Sequence, residues 1–249
     1  MTRLLITLCT YNERENIELL IPEILAVVPH AEVLVIDDHS PDGTGRVVAD
    51  MAVADQRIHV LHRAGKFGLG TATLAGFQYA VAQQFDLLIN LDADFSHHPR
   101  FIPDLLSRMD SCDVAIGSRY VAGGGVVGWT LKRHLMSRAI NTWARLLLGL
   151  RTCDNSGSYR CYRVSRLARI DWSRTVSRGY AFQEEVLYRC RKIGCTFTES
   201  PIVFEDRRYG VTKINLRECL TAVRDILRLG WQNLCGQSVE HPPAAGDMR

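Results

Sequence analysis

Two carboxylates one residue apart, Asp92 and Asp94, close an apolar run in the stretch FDLLINLDADFSHHPRF, residues 85 to 101. Leu87, Leu88, Ile89 and Leu91 form the short continuous run of a strand covered on both faces, and Pro99 cannot continue a ladder. The spacing therefore predicts a strand over 87–94 with both acids at its C-terminal end. In extended geometry residues i and i+2 share a face, their Cα atoms about 6–7 Å apart. Two unit charges about 6 Å apart repel by roughly 3 kcal/mol at an effective dielectric of about 20. A cation is expected between them, and carboxylates completed by water and a substrate diphosphate make a site for Mg2+ or Mn2+. The alternative is that one Asp caps the next helix and the other is solvated in a loop.

Other residue types raise the same question. Asp37 and Asp38 end an apolar run; Asp38 reads as a ligand group and Asp37 as structural, or the pair forms a turn with Asp42-Gly43. His97 and His98 could serve a metal or acid–base chemistry, or cap the following helix and pack beneath the site. Tyr159, Tyr162 and Tyr180 read as core or pocket wall.

The elements that must position these groups follow from periodicity. Leu4–Thr10, Val33–Asp38, Ile58–His62, Leu87–Asp94 and Val114–Ser118 read as strands; Glu13–Val27, Gly43–Ala54, Gly68–Gln83 and Pro99–Met109 read as helices. This alternation predicts an α/β fold, a mostly parallel central sheet with helices on both faces and ligands at the carboxyl ends of the strands. Thr10-Tyr11-Asn12-Glu13, Asp37-Asp38 and Asp92-Ala93-Asp94 all fall at such ends. Beyond residue 120 come a glycine-rich loop, a long helix over Leu131–Leu148, a break at DNSGS, a strand over Tyr159–Tyr162, a helix over Ala181–Ile193 and a strand over Thr196–Phe204. An amphipathic helix over 214–235 and a Pro/Gly/Ala-rich tail over 236–249, expected to be disordered, end the chain.

A chain of 249 residues, 47% apolar, can bury one large core, and it contains no internal repeat. Its net charge of +3 hides an asymmetry. Residues 1–60 hold ten acids against four basic residues, whereas residues 119–178 hold twelve Lys or Arg and only Asp154 and Asp171 as acids. A basic second half suits an anionic partner such as a nucleotide, a lipid phosphate or a membrane surface, or is a solvated face. Nucleic acid is not indicated. Eight scattered cysteines without metal spacing, and no signal-peptide pattern, predict a reduced cytoplasmic chain. No apolar run is long enough to span a bilayer.

Several chemistries are excluded. No G-x-G-x-x-G follows a strand, and no P-loop, G-x-S-x-G or H-E-x-x-H is present; GKFGLGTATLAGF reads as a turn entering the helix near Gly68. VLVIDD has the acidic pair of a phospho-receiver module. That module needs the pair after its first strand, an Asp after its third and a Lys after its fifth, where this chain has the second strand, His62-Arg63 and Arg119.

The runs TYNERENI, VLVIDDHSPDGTG, GKFGLGTA, LDADFSHHP, GSRYVAGGG, GYAFQEE and DRRYGVTK, spread over residues 4–215, closely resemble the dolichyl-phosphate (polyprenyl-phosphate) β-mannosyltransferases of the inverting family-2 glycosyltransferases, which have the GT-A fold. The resemblance implies transfer of mannose from GDP-mannose to dolichyl or another polyprenyl phosphate on the cytoplasmic face of a membrane; UDP-glucose or another sugar nucleotide is the alternative donor. It implies a GT-A domain over 1–213, with a nucleotide-binding half over 1–120 and an acceptor half over 121–213. The nucleotide sugar would meet Cys9, Tyr11, Glu13, Ile36 and Asp38. Asp92, Ala93 and Asp94 would meet the ribose, diphosphate and divalent metal, with Asp92 and Asp94 as the metal ligands. Arg119, Arg207 and Lys213 would gather phosphates. Apart from the resemblance, a lipid phosphate already ionised near neutral pH needs no dedicated general base, and Arg133 and Ser137 on the first basic helix could position it, or Lys132, Arg133, His134 and Arg138 form a solvated or membrane-facing basic side. Cys9 stands where the family usually has proline, which is expected to relax the turn after the first strand. Ser96 stands where some relatives have glutamine. The 214–235 helix could lie in a membrane interface, pack on its own domain or dock on a membrane-embedded partner subunit.

Overall fold

The computed structural model describes residues 2–206 and 216–234. Along the chain run β1 (Leu4–Thr10), α1 (Arg14–Val27), β2 (Glu32–Asp37), α2 (Thr44–Ala54), β3 (Ile58–His62), α3 (Leu69–Ala82), β4 (Leu87–Asp92), α4 (Ile102–Arg108) and β5 (Val114–Ser118). Then come β6 (Gly125–Val127), α5 (Leu131–Leu148), β7 (Arg160–Arg163), α6 (Val164–Leu167), α7 (Phe182–Lys192), β8 (Phe197–Pro201), β9 (Val203–Glu205) and α8 (Leu216–Leu234).

The expected α/β architecture is present. Seven strands form one sheet in the order β3-β2-β1-β4-β7-β5-β8, and only β7 runs antiparallel to its neighbours. The central strands are buried on both faces, which is why their sequences are nearly continuous apolar runs. On one face Ile6, Leu8 and Ile89 pack against Ile17, Ile21 and Ile24 of α1 and Leu105 of α4. On the other, Leu5, Leu34 and Leu88 meet Phe77 of α3, Phe182 and Val186 of α7, and Leu148 of α5. Each such side chain contributes about 1.5–3 kcal/mol when fully buried.

Three expectations need correcting. The fourth strand stops at Asp92, two residues early, because the chain turns and Phe95 takes a left-handed φ of 64°. The strand expected over Thr196–Phe204 is split. Proline at 201 has no N–H to continue the ladder, so β8 ends there and β9 pairs in parallel with β6 in a separate two-stranded sheet. That sheet arises from the glycine-rich loop, which was not expected to contain a strand. Cys9 is the penultimate residue of β1, within the strand expected over Leu4–Thr10, and stands in register with Ile36 and Asp92.

Candidate functional site at the strand ends

The carboxyl ends of β1, β2 and β4 converge on one edge of the sheet, in register at Cys9–Ile36 and Cys9–Asp92. Just past these ends, Asn12, His39 and Phe95 adopt positive φ (58°, 59° and 64°), three of the four non-glycine residues to do so among those described. Such backbone costs energy and persists only where the surroundings hold it, which sets these turns apart from the rest of the fold.

Asp92 is held from below. Thr7 Oγ1 donates to Asn90 Oδ1 (3.1 Å), Asn90 Nδ2 donates to the Ser158 carbonyl (3.1 Å), and Ser158 Oγ donates to Asp92 Oδ1 (2.6 Å). His97 Nδ1 accepts the Asp92 backbone N–H (3.1 Å), which places the ring proton on Nε2. Burial depresses the His97 pKa, with Asp92 and Asp94 opposing, so the imidazole is a neutral support. It packs on Tyr159 and Phe204, ring centroids 5.0 and 5.4 Å away. Asp94 accepts from the backbone N–H (3.1 Å) and hydroxyl of Ser96, and Ala93 between the acids is buried. No lysine or arginine among the described residues comes within 4.0 Å of Asp92, whose side chain is 36% exposed. His98 caps the following turn through Nδ1, accepting from Arg100 N (3.2 Å). The histidines thus take the cap-and-support reading.

The other acidic pair divides as expected in one respect. Asp37 is structural, accepting from Thr10 Oγ1 (3.0 Å) and from both N–H and hydroxyl of Ser40. Asp38 is also engaged: it pairs with Arg63 and accepts the backbone N–H groups of Phe67 and Gly68 (both 3.1 Å), pinning the GKFGLG turn to the end of β2. Gly68, at φ 98°, leads into α3 there. Lys66, on the same turn, lies over the Tyr11 ring at 4.0 Å. Glu13 accepts from Asn16 Nδ2 (2.8 Å), and Ile36 is fully buried beneath α3, within reach of Gly76. Cys9 is hydrogen-bonded to Thr73 (3.7 Å), and burial, joined by the charges of Asp92 and Asp38, pushes its thiol up to about 12.

The cationic side of the site is built from β5, α5 and the 153–158 loop. Arg119 gives its backbone N–H, Nε and Nη2 to Asp154 at 3.0, 2.7 and 2.7 Å. Burial opposes both charges, yet each keeps the other ionised, Asp154 below the usual carboxylate range and Arg119 above its own. Arg119, expected to gather phosphate, gives Nε and Nη2 to this carboxylate, and Nη1 has no hydrogen-bond partner among the described residues. Loop 154–156 is docked on α5 by Asn141, which accepts from the backbone of Asn155 and Ser156 and donates to Ser156 Oγ. On the first turns of α5, Arg133 Nη1 meets Asp206 at 3.2 and 3.3 Å, and Ser137 Oγ meets the Tyr120 hydroxyl at 2.7 Å. Trp129 packs against both guanidiniums, its ring 4.3 Å from that of Arg133 and 5.4 Å from that of Arg119. Arg207 and Lys213 lie outside the described residues.

Ser158, Asp154, Trp129 and Asp206 were missed by sequence reasoning. Only Asp154 carried a signal, as one of two acids among twelve cations.

In chemical terms the edge offers two rigid carboxylates suited to a hard cation, a neutral histidine that cannot compete for it, and guanidiniums beyond. The D-A-D turn is not a complete protein cage: among the described residues no cluster of three His, Cys, Asp or Glu could hold an ion.

Residues 5–170 match the family model for glycosyl transferase family 2. The chain is 42% identical to a polyprenol monophosphomannose synthase of Mycolicibacterium smegmatis over 90% of its length and 86% of the relative's. It is 39% identical to an undecaprenyl-phosphate mannosyltransferase of Micrococcus luteus over 93% and 97% of the two chains. Among solved structures it resembles a glucosyl-3-phosphoglycerate synthase of Mycobacterium tuberculosis in complex with Mn2+ and UDP (TM-score 0.63, 18% identity, covering 94% of this chain and 80% of that one). A mannosyltransferase of Pyrobaculum calidifontis in complex with GDP-Man and Mn2+ is also similar (TM-score 0.59, 14% identity, 91% and 64% covered). With its fold, its strand-end acids and the family model in agreement over most of its length, the chain belongs to glycosyl transferase family 2.

Proposed function

We propose that this enzyme transfers mannose from GDP-mannose to a polyprenyl phosphate, giving a β-linked lipid phosphate mannose. The observation that carries the reading is 39–42% identity over at least 90% of the chain to two polyprenyl-phosphate mannosyltransferases. Residues 1–120 serve the nucleotide sugar, and residues 121–213 the acceptor.

Asp92 and Asp94 hold a divalent cation, Mg2+ or Mn2+, with the donor's diphosphate. The donor set fits: all-oxygen ligands, no competing Lys or Arg at Asp92 among the described residues, and Ser158 and Ser96 fixing one oxygen of each carboxylate. When bound, the ion neutralises charge growing on the departing diphosphate. Tyr11, Glu13 and Asp38 border the nucleotide, Asp38 through the 63–68 turn it organises. Arg133 and Ser137, one turn apart on α5, face the acceptor phosphate. That phosphate is already largely dianionic near neutrality, its second pKa being about 6, so no general base is required. A phosphate oxygen bonds to the anomeric carbon from the face opposite the nucleotide, the bond to the diphosphate breaks, and GDP leaves. Positioning supplies the rest of the rate.

The lipid is reached from a membrane surface. No helix among the described residues is long and apolar enough to cross a bilayer. Instead α5 and α8 pack together, Gly230 against Leu147, and both turn large apolar side chains outward: Leu131, Leu135, Trp143 and Leu146 on α5, and Leu227 and Trp231 on α8. The apolar positions of α8 divide, Ile226 and Leu229 facing the domain while Val223, Leu227, Trp231 and Leu234 face out. Asp225, expected on the polar face, is buried. Arg138, Arg145, Arg224 and Arg228 flank the apolar rows, a composition suited to an anionic bilayer surface.

Labelled GDP-mannose incubated with a polyprenyl phosphate should deliver label to the organic phase and lose that activity in EDTA. Equal labelling from UDP-glucose, or none from GDP-mannose, rejects the donor assignment. Co-sedimentation with anionic vesicles should weaken on reversing Arg224 and Arg228 to Glu; unchanged sedimentation removes the membrane surface.

A further inference from the structure

The two-stranded sheet has a consequence for the acceptor side. β6 and β9 pair in parallel with Val127 opposite Glu205, so the next residues, Gly128 and Asp206, arrive side by side. Gly128 has φ 87°, and a Cβ there would lie 3.1 Å from Cβ of Asp206, so only glycine accommodates the approach without strain. The chain then passes through Trp129 to Thr130, which caps α5 by accepting the Arg133 N–H (3.4 Å). Arg133 thereby sits in the first turn of α5, at the positive end of the helix dipole, in a turn that has no acidic residue of its own. Its counter-charge comes from the other strand: Asp206.

The grip is incomplete. Both Asp206 oxygens approach a single nitrogen, Nη1, and Nε and Nη2 of Arg133 have no partner among the described residues. The pair is open to solvent, with side chains 29% and 42% exposed. The indole of Trp129 holds the guanidinium plane from one side. A preset cation thus presents two unused donors beside the indole that Arg119 also touches.

We infer that Asp206 is an internal competitor for the acceptor phosphate: its carboxylate holds Arg133 in the free enzyme and gives it up when the lipid phosphate arrives. This rests on the acceptor reading of Arg133 above and adds to it a positioning residue on a different element. The exchange is favourable because a phosphate brings up to about two negative charges, where the carboxylate brings one, and can engage Arg133 through two nitrogens at once. It also keeps a first-turn arginine from collecting stray anions between turnovers.

The test is Asp206→Asn in the full-length enzyme. The KM for polyprenyl phosphate should fall about two- to fivefold, the range expected on removing one exposed ion-pair competitor. The KM for GDP-mannose should stay unchanged, and Asp206→Glu should restore the higher acceptor KM. In an Arg133→Ala background the Asp206→Asn effect should vanish. An acceptor KM that is unchanged or raised overturns the inference, as does a drop that persists without Arg133 or an equal change in the KM for GDP-mannose. A direct binding arm separates this from failure of the transferase reading. Titrating farnesyl phosphate by calorimetry should show tighter binding to the Asp206→Asn protein than to the wild type, whether or not sugar is transferred, and farnesol should not bind differently to the two. Equal affinities, or no farnesyl phosphate binding by either form, overturn the inference.

Discussion

Two arginine–carboxylate pairs share contact with one tryptophan and differ in almost every physical respect. Arg119 and Asp154 are buried, side chains 7% and 0% exposed, and joined through a two-nitrogen fork plus a backbone N–H. Arg133 and Asp206 are open to solvent and joined through one nitrogen. In the first, neither partner can leave without stranding a charge in a region of low dielectric. In the second, water or another anion can replace the carboxylate at little cost. Charge type alone therefore does not tell which arginine can exchange its partner; burial and the number of occupied donors do.

Asp92 extends the contrast, since it is a charge held by neutral donors with no arginine or lysine within 4.0 Å among the described residues. Replacing both Asp92 and Asp94 by Asn should produce the largest effect. Transfer of label from GDP-mannose should fall by about a hundred- to a thousandfold or more, the loss expected when leaving-group charge is no longer neutralised. Circular dichroism should be unchanged, because Asn can keep the Ser158 and Ser96 contacts. Undiminished transfer would falsify the metal-site reading.

The contrast between the arginine pairs is broken most directly at Asp154. Asp154→Asn leaves Arg119 buried and unpaired, at a cost of about 3–5 kcal/mol. For a chain of this size that lowers Tm by about 10 °C or more. Asp206→Asn should leave Tm within about 2 °C, because an exposed pair contributes at most about 1 kcal/mol. Thermal unfolding of the two variants side by side checks this. Equal shifts would mean that burial does not separate the pairs.

Much of this was legible beforehand, and the reason lies in what a sequence encodes locally. LLITLCT and LLINLD are apolar on both faces, which only a central strand between helical layers uses, so the sheet and the site's edge followed from periodicity. The acids at the strand ends could be located for the same reason. What escaped was pairing between residues far apart in the chain. Asp154 is 35 residues from Arg119, and Asp206 is 73 from Arg133. The second could not be inferred without knowing that β6 and β9 pair outside the main sheet. Proline at 201 announced that break, but not where the chain would go next.

A smaller effect comes from a buried carboxylate without any arginine fork. Glu184, in the first turn of α7, has Oε2 without a hydrogen-bond partner, and burial pushes its pKa up to about 7. Arg160 beside it donates instead to the carbonyls of Gln183 and Asn155, both at 2.7 Å. The folded state therefore holds a proton that the unfolded chain, at about 4.5, releases first. The associated stability is fully present below pH 4.5 and lost as pH rises through 7. Above that, ionisation costs on the order of 3 kcal/mol. Glu184→Gln should raise Tm by about 5–10 °C at pH 8 and change little at pH 5. A Tm difference independent of pH would show that Glu184 is ionised throughout.

The smallest effect is expected at Cys9, which separates position from chemistry within the site. Its thiol lies at the end of β1, in register with Asp92, just before the turn that a cysteine in place of proline is expected to relax. Because it is inside the strand, the turn that matters begins later, at Tyr11 and the left-handed Asn12. Burial and the nearby charges of Asp92 and Asp38 raise its pKa to about 12, so almost none is thiolate at pH 8, and the thiolate is the form that alkylates. Iodoacetamide at pH 8 should leave Cys9 unmodified by peptide mass spectrometry over a time that fully labels a free cysteine. Cys9→Ala should keep transfer within about twofold, since it removes only the weak contact to Thr73. Rapid labelling, blocked by GDP-mannose, would instead mean that the strand end opens in solution and that the donor closes it.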